Sequence, residues 1–235
     1  MSRLRTLFLT LPALLLTAGN ASAQTEGDTS ISFMEAIEAS GIIGIFIILL
    51  SVVALALVIE HFMSIKREKL APPELVDEIE ELFTQGNYQA ALETCEQNPC
   101  YFTRVTAAGI RKIGHSFDAL EKTIEEKEGE ENLKLMQKIG WLSLIAGLGP
   151  MLGLFGTVVG MVGAFGKISG AGQGGVNPSE LAGSIQMALV TTVEGLIVAI
   201  PTTAFFAYFR SKVYSCALEI GGVIEDLFER FRVQA

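Results

Sequence analysis

Three uncharged or nearly uncharged apolar runs constrain this chain more than any other feature. They cover residues 42–59, 142–165 and about 181–209, and the third contains a single acidic residue, Glu194. A helix rises 1.5 Å per residue, so about 20 residues cross a hydrocarbon layer of roughly 30 Å. Because backbone polar groups in lipid must bond within the protein, such runs become helices. The sequence therefore predicts an all-α integral membrane protein with three transmembrane helices in contact with lipid.

The first 23 residues have the pattern of a secretory signal peptide. Arg3 and Arg5 give a positive start, a short apolar stretch follows, and Ala-Ser-Ala occupies positions 21–23. The apolar stretch is shorter than the roughly 18 residues that a membrane span requires. We therefore expect cleavage after this segment, and the alternative is an uncleaved first membrane helix.

Lysine and arginine positions predict the orientation in the cell inner membrane. Residues 61–140 carry ten of them, residues 24–41 carry none and the 166–180 segment has only Lys167. Basic residues concentrate on the cytoplasmic side, so we place the mature N-terminus in the periplasm and the C-terminus in the cytoplasm. The predicted segments are a cleaved signal peptide (1–23), a periplasmic N-terminal segment (24–41), transmembrane helix 1 (42–60), a cytoplasmic helical domain (61–140), transmembrane helix 2 (141–165), a periplasmic loop (166–180), transmembrane helix 3 (181–209) and a cytoplasmic C-terminal helix (210–235).

The predicted cytoplasmic domain contains helix signals. "PPELVDEIEELFTQG" begins after a proline pair and stops at a glycine, and Asn87 can cap the helix of "NYQAALETCEQNP". Ser116 can cap a helix that continues through the acidic run "EEKEGEEN" to the second span, and long helices would then extend into the cytoplasm. We interpret the acidic run as a solvated face, and His61 and His115 as surface residues.

Two further helix signals belong to the third span. Asn177 can cap its start, with proline at the next position. Beyond the membrane, apolar residues recur at spacings of four and three and predict a seam that packs on the helices of the loop or on neighbouring subunits. The seam consists of Val213, Ala217, Ile220, Ile224, Leu227 and Phe231.

Composition and motifs exclude several classes of function. The net charge of −9 and the lack of a basic stripe exclude nucleic acid as a partner. No Ser-His-Asp, Cys-His or HExxH pattern is present, so we predict no catalytic residues and no enzyme. Cys95 and Cys100 lack a second pair or a histidine cluster, so we predict no metal site. "GKISGAGQGG" has no closing Gly-Lys-Ser/Thr and follows a membrane helix, so we predict a connector rather than a phosphate loop and no cofactor.

A glycine stripe marks the second span. Its glycines are spaced 4, 3, 4 and 3, which places them on one face of a helix over about four turns. Glycine weakens a helix, and such a stripe is typical of a close approach by another helix backbone. We therefore predict helix packing at Gly149, Gly153, Gly156, Gly160 and Gly163.

Polar side chains interrupt both of the later spans. Thr157 lies in the second, and the third carries Thr191, Thr192 and Glu194. A charged carboxylate at the centre of a membrane helix costs roughly 2.5–3.5 kcal/mol on insertion scales, and such residues usually handle ions or protons. The alternative is a neutral glutamate that hydrogen-bonds across a helix interface. At about 100° per residue Thr192 points roughly 160° away from Glu194, and one face is shared by Met187, Thr191, Glu194 and Val198.

The motifs "GPMLGLFGTVVGMVGAF" and "ALVTTVEGLIVAIP" resemble the MotA/TolQ/ExbB proton-channel family, and the signal peptide and length are most similar to ExbB. The resemblance implies a homo-oligomeric ring, usually a pentamer, around the membrane helices of an ExbD-like partner. Motion in such a complex passes to a TonB-like protein, and the transported ion is a proton or sodium. The alternatives are a TolQ-like role in envelope integrity and a non-conducting membrane scaffold.

The same resemblance assigns roles to individual residues. Thr157 and Thr192 match the family threonines whose hydroxyls face an essential aspartate of the partner. ExbB proteins have a glutamate where this chain has Met187. Our hypothesis is that the carboxylate has moved two turns along the same lining, to Glu194. Thr157, Thr192 and Glu194 are therefore the predicted ion-path residues, with Thr191 as a further candidate.

Overall fold

The computed structural model describes residues 41–170 and 178–231. The predicted signal peptide, residues 24–40 and the predicted cap Asn177 lie outside these ranges. Within them the chain is helical and contains no strand, which confirms the all-α prediction. The helices are α1 (Gly41–Ser64), α2 (Arg67–Leu70), α3 (Pro73–Thr84), α4 (Tyr88–Gln97), α5 (Tyr101–Ile110), α6 (Phe117–Gly170) and α7 (Pro178–Glu229).

Three of the helices, α1, α6 and α7, are long and apolar enough to cross a membrane. The α6 helix has 54 residues and α7 has 52, so each is about 80 Å long, more than twice the hydrocarbon thickness. The helix predicted to run from Ser116 into the second span is therefore continuous. The predicted 166–180 loop is shorter than expected, since α6 reaches Gly170 and α7 begins at Pro178.

Helices α2 to α5 form a helical domain with the portions of α6 and α7 that lie outside the apolar runs. Its core includes Phe83, Phe102 and Phe228, all fully or almost fully buried. The predicted seam on α7 packs mainly into this core, through Ile220, Ile224 and Leu227 among others; its first residue, Val213, joins the neighbouring cluster that contains Ile139 and Phe209. The seam was predicted to pack either on the helices of the loop or on neighbouring subunits, and in this fold it packs on the helices of the loop.

The cap at Asn87 is confirmed, because its Oδ1 accepts a hydrogen bond from the Ala90 amide at 3.3 Å. The sequence analysis missed α5, although eight of its ten residues are buried. This helix has only ten residues, and a segment this short shows few repeats of the helical period by which helices are recognised in a sequence. Gly109 of α5 lies against the Phe228 ring, where an added Cβ would approach a ring atom to 2.5 Å.

His61 is buried at the junction of α1, α6 and α7, so its prediction as a surface residue is wrong. Its Nε2 lies 3.1 Å from the carbonyl oxygen of Lys138, and its ring centroid lies 5.5 Å from that of Phe209. Lys138 also donates to Ser64 Oγ at 2.9 Å and pairs with Glu60 at 2.7 Å. These contacts fix α1 to α6, and they join residues more than 70 positions apart, which local sequence patterns do not reveal. His115 is exposed, as predicted.

The acidic run on α6 is only partly a solvated face. Glu131 within it is 3% exposed, and its carboxylate accepts hydrogen bonds from Arg104 at 3.0 Å and Lys134 at 2.8 Å. Burial acts to raise the pKa of Glu131, but the bonds from Lys134 and Arg104 outweigh it and hold that pKa below its ordinary value. This carboxylate therefore joins α5 to α6 in its charged form.

We predict that Glu131→Gln lowers the free energy of unfolding by about 1–3 kcal/mol at pH 7, because two charge-assisted bonds are lost. A carboxyl group whose pKa is lower in the folded state stabilises the fold at pH values above its unfolded-state pKa. This contribution disappears as the pH falls through the folded-state pKa. The difference from the wild type should therefore shrink below about pH 4. Thermal unfolding of the purified protein at pH 7 and at about pH 3 measures this difference. Glu126→Gln, at an exposed position of the same run, is the matched control, and equal losses for the two variants would contradict the assignment.

Candidate functional site between helices α6 and α7

Four glycines of α6 bring its backbone against α7. A Cβ added to Gly149 would lie 2.8 Å from the Gly195 carbonyl oxygen, and one added to Gly153 would lie 2.9 Å from the Cα of Thr192. At Gly156 the nearest atom would be Thr191 Oγ1 at 2.5 Å, and at Gly160 it would be the Ala188 Cβ at 2.7 Å. Helix α7 therefore lies against α6 at these four positions, with backbone atoms nearest to Gly149 and Gly153 and side-chain atoms nearest to Gly156 and Gly160.

The fifth glycine of the predicted packing stripe is different. A Cβ added to Gly163 would meet nothing within 4 Å, so the predicted packing does not extend to it. On the opposite side of the interface, α7 contributes its own small residues, among them Gly195, which packs directly on the Gly149 carbonyl group. The sequence analysis did not assign Gly195, although it lies in register with Ala188 and Ala199, seven residues before and four after it. The close contact is therefore built from small residues on both helices.

Two threonine hydroxyls of α7 meet at one carbonyl group of α6. Thr192 Oγ1 donates to the Gly153 carbonyl oxygen at 3.2 Å. Thr191 is buried, donates to the Ala188 carbonyl at 2.6 Å and lies 3.5 Å from the same Gly153 oxygen. Since Gly153 has no side chain, its carbonyl oxygen is open to both hydroxyls. Thr191 and Thr192 thus both belong to the α6–α7 interface.

Thr157 lies on α6, one turn after Gly153, and is half-buried. Its hydroxyl donates to the Leu154 carbonyl oxygen of its own helix at 2.7 Å, the common local bond of threonine in a helix. At about 100° per residue it sits beside the glycine stripe, on a flank of the interface. The structure therefore brings Thr157 and Thr192 within about one helical turn of the same carbonyl group, Gly153.

Glu194 lies on the other flank of α7. It is half-buried, and on an ideal helix it points about 160° away from Thr192. Val198, one turn further along the same face, packs in a cluster with Ile145 of α6 and with Ile47 and Ala54 of α1. The carboxylate is therefore on the side of α7 that is near α1. Glu194 and Met187 share one face of α7, and Thr192 lies on a different face. The helical period of α7 already predicts this separation. The sequence does not show that the Glu194 side of α7 lies near α1.

No cluster of three or more histidine, cysteine or acidic side chains within the described residues has the arrangement of a metal site. Cys95 and Cys216 are buried in the helical domain. Burial raises the pKa of the Cys95 thiol to about 12, with smaller contributions from Cys100 and Glu96, and a protonated thiol is a poor metal ligand. The chemistry available between α6 and α7 is that of hydroxyls, backbone carbonyls and one carboxylate in an apolar setting.

The fold and this interface define a class of protein: a helical membrane protein with three spans and with polar side chains at the contact between two closely packed helices. Comparison with known proteins agrees. A profile of the MotA/TolQ/ExbB proton channel family matches residues 98–220. The putative biopolymer transport protein ExbB-like 3 of Synechocystis sp. is 30% identical over 201 residues, which covers 83% of this chain and 95% of that protein.

Two more distant similarities extend the comparison. The Tol-Pal system protein TolQ of Haemophilus influenzae is 33% identical over 92 residues, 39% of this chain and 40% of that protein. The solved structure of C. jejuni MotAB matches the fold with a TM-score of 0.55 at 15% identity, covering 97% of this chain and 90% of that one. The chain belongs to the MotA/TolQ/ExbB proton channel family, which makes it an inner-membrane protein of the proton-channel stator type.

Proposed function

We propose that this chain is an ExbB-like subunit of an inner-membrane motor that couples the proton motive force to transport across the outer membrane. In this proposal an ExbD-like single-span protein and a TonB-like protein are its partners. The observation that carries it is the α6–α7 interface, where the Thr191 and Thr192 hydroxyls lie at the Gly153 carbonyl. Several of the most similar curated proteins are named as ExbB or ExbB-like.

The exposed surfaces of the spans support an oligomer. Between 22% and 28% of the most apolar window of each spanning helix is buried within the chain. The remaining apolar surface is available to lipid, to neighbouring copies and to a central partner helix. We propose a homo-oligomeric ring, most simply a pentamer, in which the α6–α7 pairs surround the membrane helices of the ExbD-like protein.

The ion path in this proposal follows the polar groups of α6 and α7. Thr157 and Thr192, on the flanks of the glycine contact, offer hydroxyls to the ion or to its water. Glu194 is the one carboxylate in the third apolar run, and we assign it the role of holding and releasing a proton. One charge that crosses about 100 mV releases about 2.3 kcal/mol, so a few protons per cycle suffice for a mechanical step.

The alternative function is that of a TolQ-like subunit in envelope integrity, and the match to TolQ of Haemophilus influenzae favours keeping it. The two roles share the ion path and differ in the protein that receives the motion. A scaffold without conduction is the remaining alternative, in which Glu194 only joins α7 to a neighbouring helix.

A deletion strain of the source organism separates these functions. An ExbB-like role predicts loss of energy-dependent uptake of large ligands through the outer membrane, with normal resistance to detergents. Detergent sensitivity and outer-membrane blebbing with normal uptake would instead establish the TolQ-like role. Native mass spectrometry of the complex purified from the same organism tests the ring, and a monomer without a single-span partner would contradict the proposal.

A further inference from the structure

A groove lies in the helical domain, outside the three apolar runs. It has a volume of roughly 450 Å³ and runs between the outer portions of α6 and α7. Its floor is apolar and includes Leu120, Ile124 and Phe228. On its edge Leu218 is 78% exposed and Tyr214 is 53% exposed. Large apolar side chains this exposed, at a rim beside a concave surface, mark a site of interaction with another molecule.

The groove is open because α7 carries small residues along it. Ala217, Gly221 and Gly222 all line it. A Cβ at Gly221 would lie 3.2 Å from Glu128 Oε1, which explains a glycine there, whereas a Cβ at Gly222 would meet nothing within 4 Å. Glycine is among the poorest helix formers, and neither the core nor a turn requires one at Gly222. The missing side chain leaves space that an external segment can occupy.

The walls of the groove are acidic. The lining contains no lysine or arginine, and within the described ranges none of its carboxylates is in an ion pair. Burial raises the pKa of Glu128, and the nearby carboxylates of Glu125 and Glu225 raise it further. The groove therefore holds closely spaced negative charge that nothing in the described chain neutralises. The carboxylates are Glu121, Glu125, Glu128, Glu225 and Glu229.

We propose that this groove binds a basic amphipathic helix of a partner protein. From Tyr214 to Glu229 it extends along about 22 Å of α7, which matches about four turns of a bound helix. Apolar residues of that helix would cover the floor and Leu218, and its lysine or arginine side chains would reach the carboxylates. Charge complementarity selects this occupant over a second copy of the chain, since the chain itself carries a net charge of −9.

The binding test uses the full-length protein in phosphatidylcholine nanodiscs. The probe is a fluorescent 16-residue peptide of leucine and lysine with leucine at helical spacing, and the comparison peptide has glutamate in place of lysine. We expect the lysine peptide alone to bind, with an affinity that falls as salt is raised, because screening weakens the charge attraction. Gly222→Leu, which fills the groove, should weaken binding by about tenfold or more.

The matched control is Gly129→Leu, because Gly129 is also a helical glycine with open space around its Cβ and does not line the groove. It should bind the peptide like the wild type. Equal affinities for the two variants, or equal binding to empty nanodiscs, would overturn the proposal. If Gly222→Leu fails to assemble, the double variant Glu125→Gln with Glu225→Gln replaces it. An unchanged affinity of this double variant for the lysine peptide would also overturn the proposal.

A second experiment tests the occupant in whole cells. A photo-crosslinking residue at position 218 should join the chain to a different protein whose linked segment is basic and helical. Crosslinks that join only two copies of this chain would show that the groove is a contact between subunits, and the proposal would then be wrong. Neither experiment measures ion-driven activity, so their outcomes are separate from the proposed function.

Discussion

Gly153→Val should prevent the α6–α7 pair from forming. A Cβ at this position would lie 2.9 Å from the Cα of Thr192 and 3.0 Å from the Thr191 carbonyl oxygen. Both are backbone atoms, so neither can rotate away and the helices must separate. Overpacking costs typically 1–3 kcal/mol and more where the backbone has to move; we expect roughly 3 kcal/mol or more here. The measurement is the amount of assembled protein in the membrane and its thermal stability after purification.

Gly163→Val is the matched control for this change. Gly163 lies on the same helix and in the same glycine series, but a Cβ there meets nothing within 4 Å. This variant should accumulate and unfold like the wild type. If both variants were equally stable, the close contact at Gly153 would be wrong; if both failed equally, glycine would be required for a reason other than the contact with α7.

The second large effect concerns Glu194. Glu194→Gln keeps the shape and most hydrogen-bonding capacity of the side chain but cannot release a proton. If Glu194 handles protons, ion-driven uptake should fall by roughly a hundredfold, a usual loss when a positioned proton-transfer group is removed. Assembly should be normal, because an amide can hold the same place between helices. Uptake is measured in the deletion strain at matched protein levels.

Two further variants sharpen this test. Glu180→Gln, at an exposed position in the first turn of α7, should be fully active. Thr192→Val removes a hydroxyl that bonds to the Gly153 carbonyl and should reduce uptake while Glu194 is intact. Because the two residues are on opposite flanks of α7, an inactive Thr192→Val with a fully active Glu194→Gln would assign conduction to the threonine flank alone and reduce Glu194 to a helix contact.

The parts of this fold that follow from local chemistry could be predicted from the sequence. The spans are set by hydrophobic length, the α4 start by the Asn87 cap, and the close α6–α7 contact by the spacing of the glycines. These depend on residues a few positions apart. The register between α6 and α7 could not be predicted, since it depends on which small residue of α7 meets each glycine.

The rest required the three-dimensional arrangement. His61 is buried because α1 crosses α6 near Lys138, and Glu131 is buried because α5 brings Arg104 to it. Glu194 lies on the side of α7 near α1 because Val198, one turn further along α7, packs in a cluster with Ile47 of α1. His61 and Glu131 look isolated in the sequence, but each has a hydrogen-bond partner on another helix.

The central claim is that the polar groups of α6 and α7 line an ion path. Proton flux through the purified complex tests this claim most directly. The chain is co-purified with its single-span partner, placed in liposomes that hold a pH-sensitive dye, and exposed to a potassium diffusion potential. The account predicts that the interior of liposomes with the wild-type complex acidifies faster than that of empty liposomes. With the Glu194→Gln complex, the rate of acidification should fall to that of empty liposomes. Equal flux through the wild-type and Glu194→Gln complexes would contradict it.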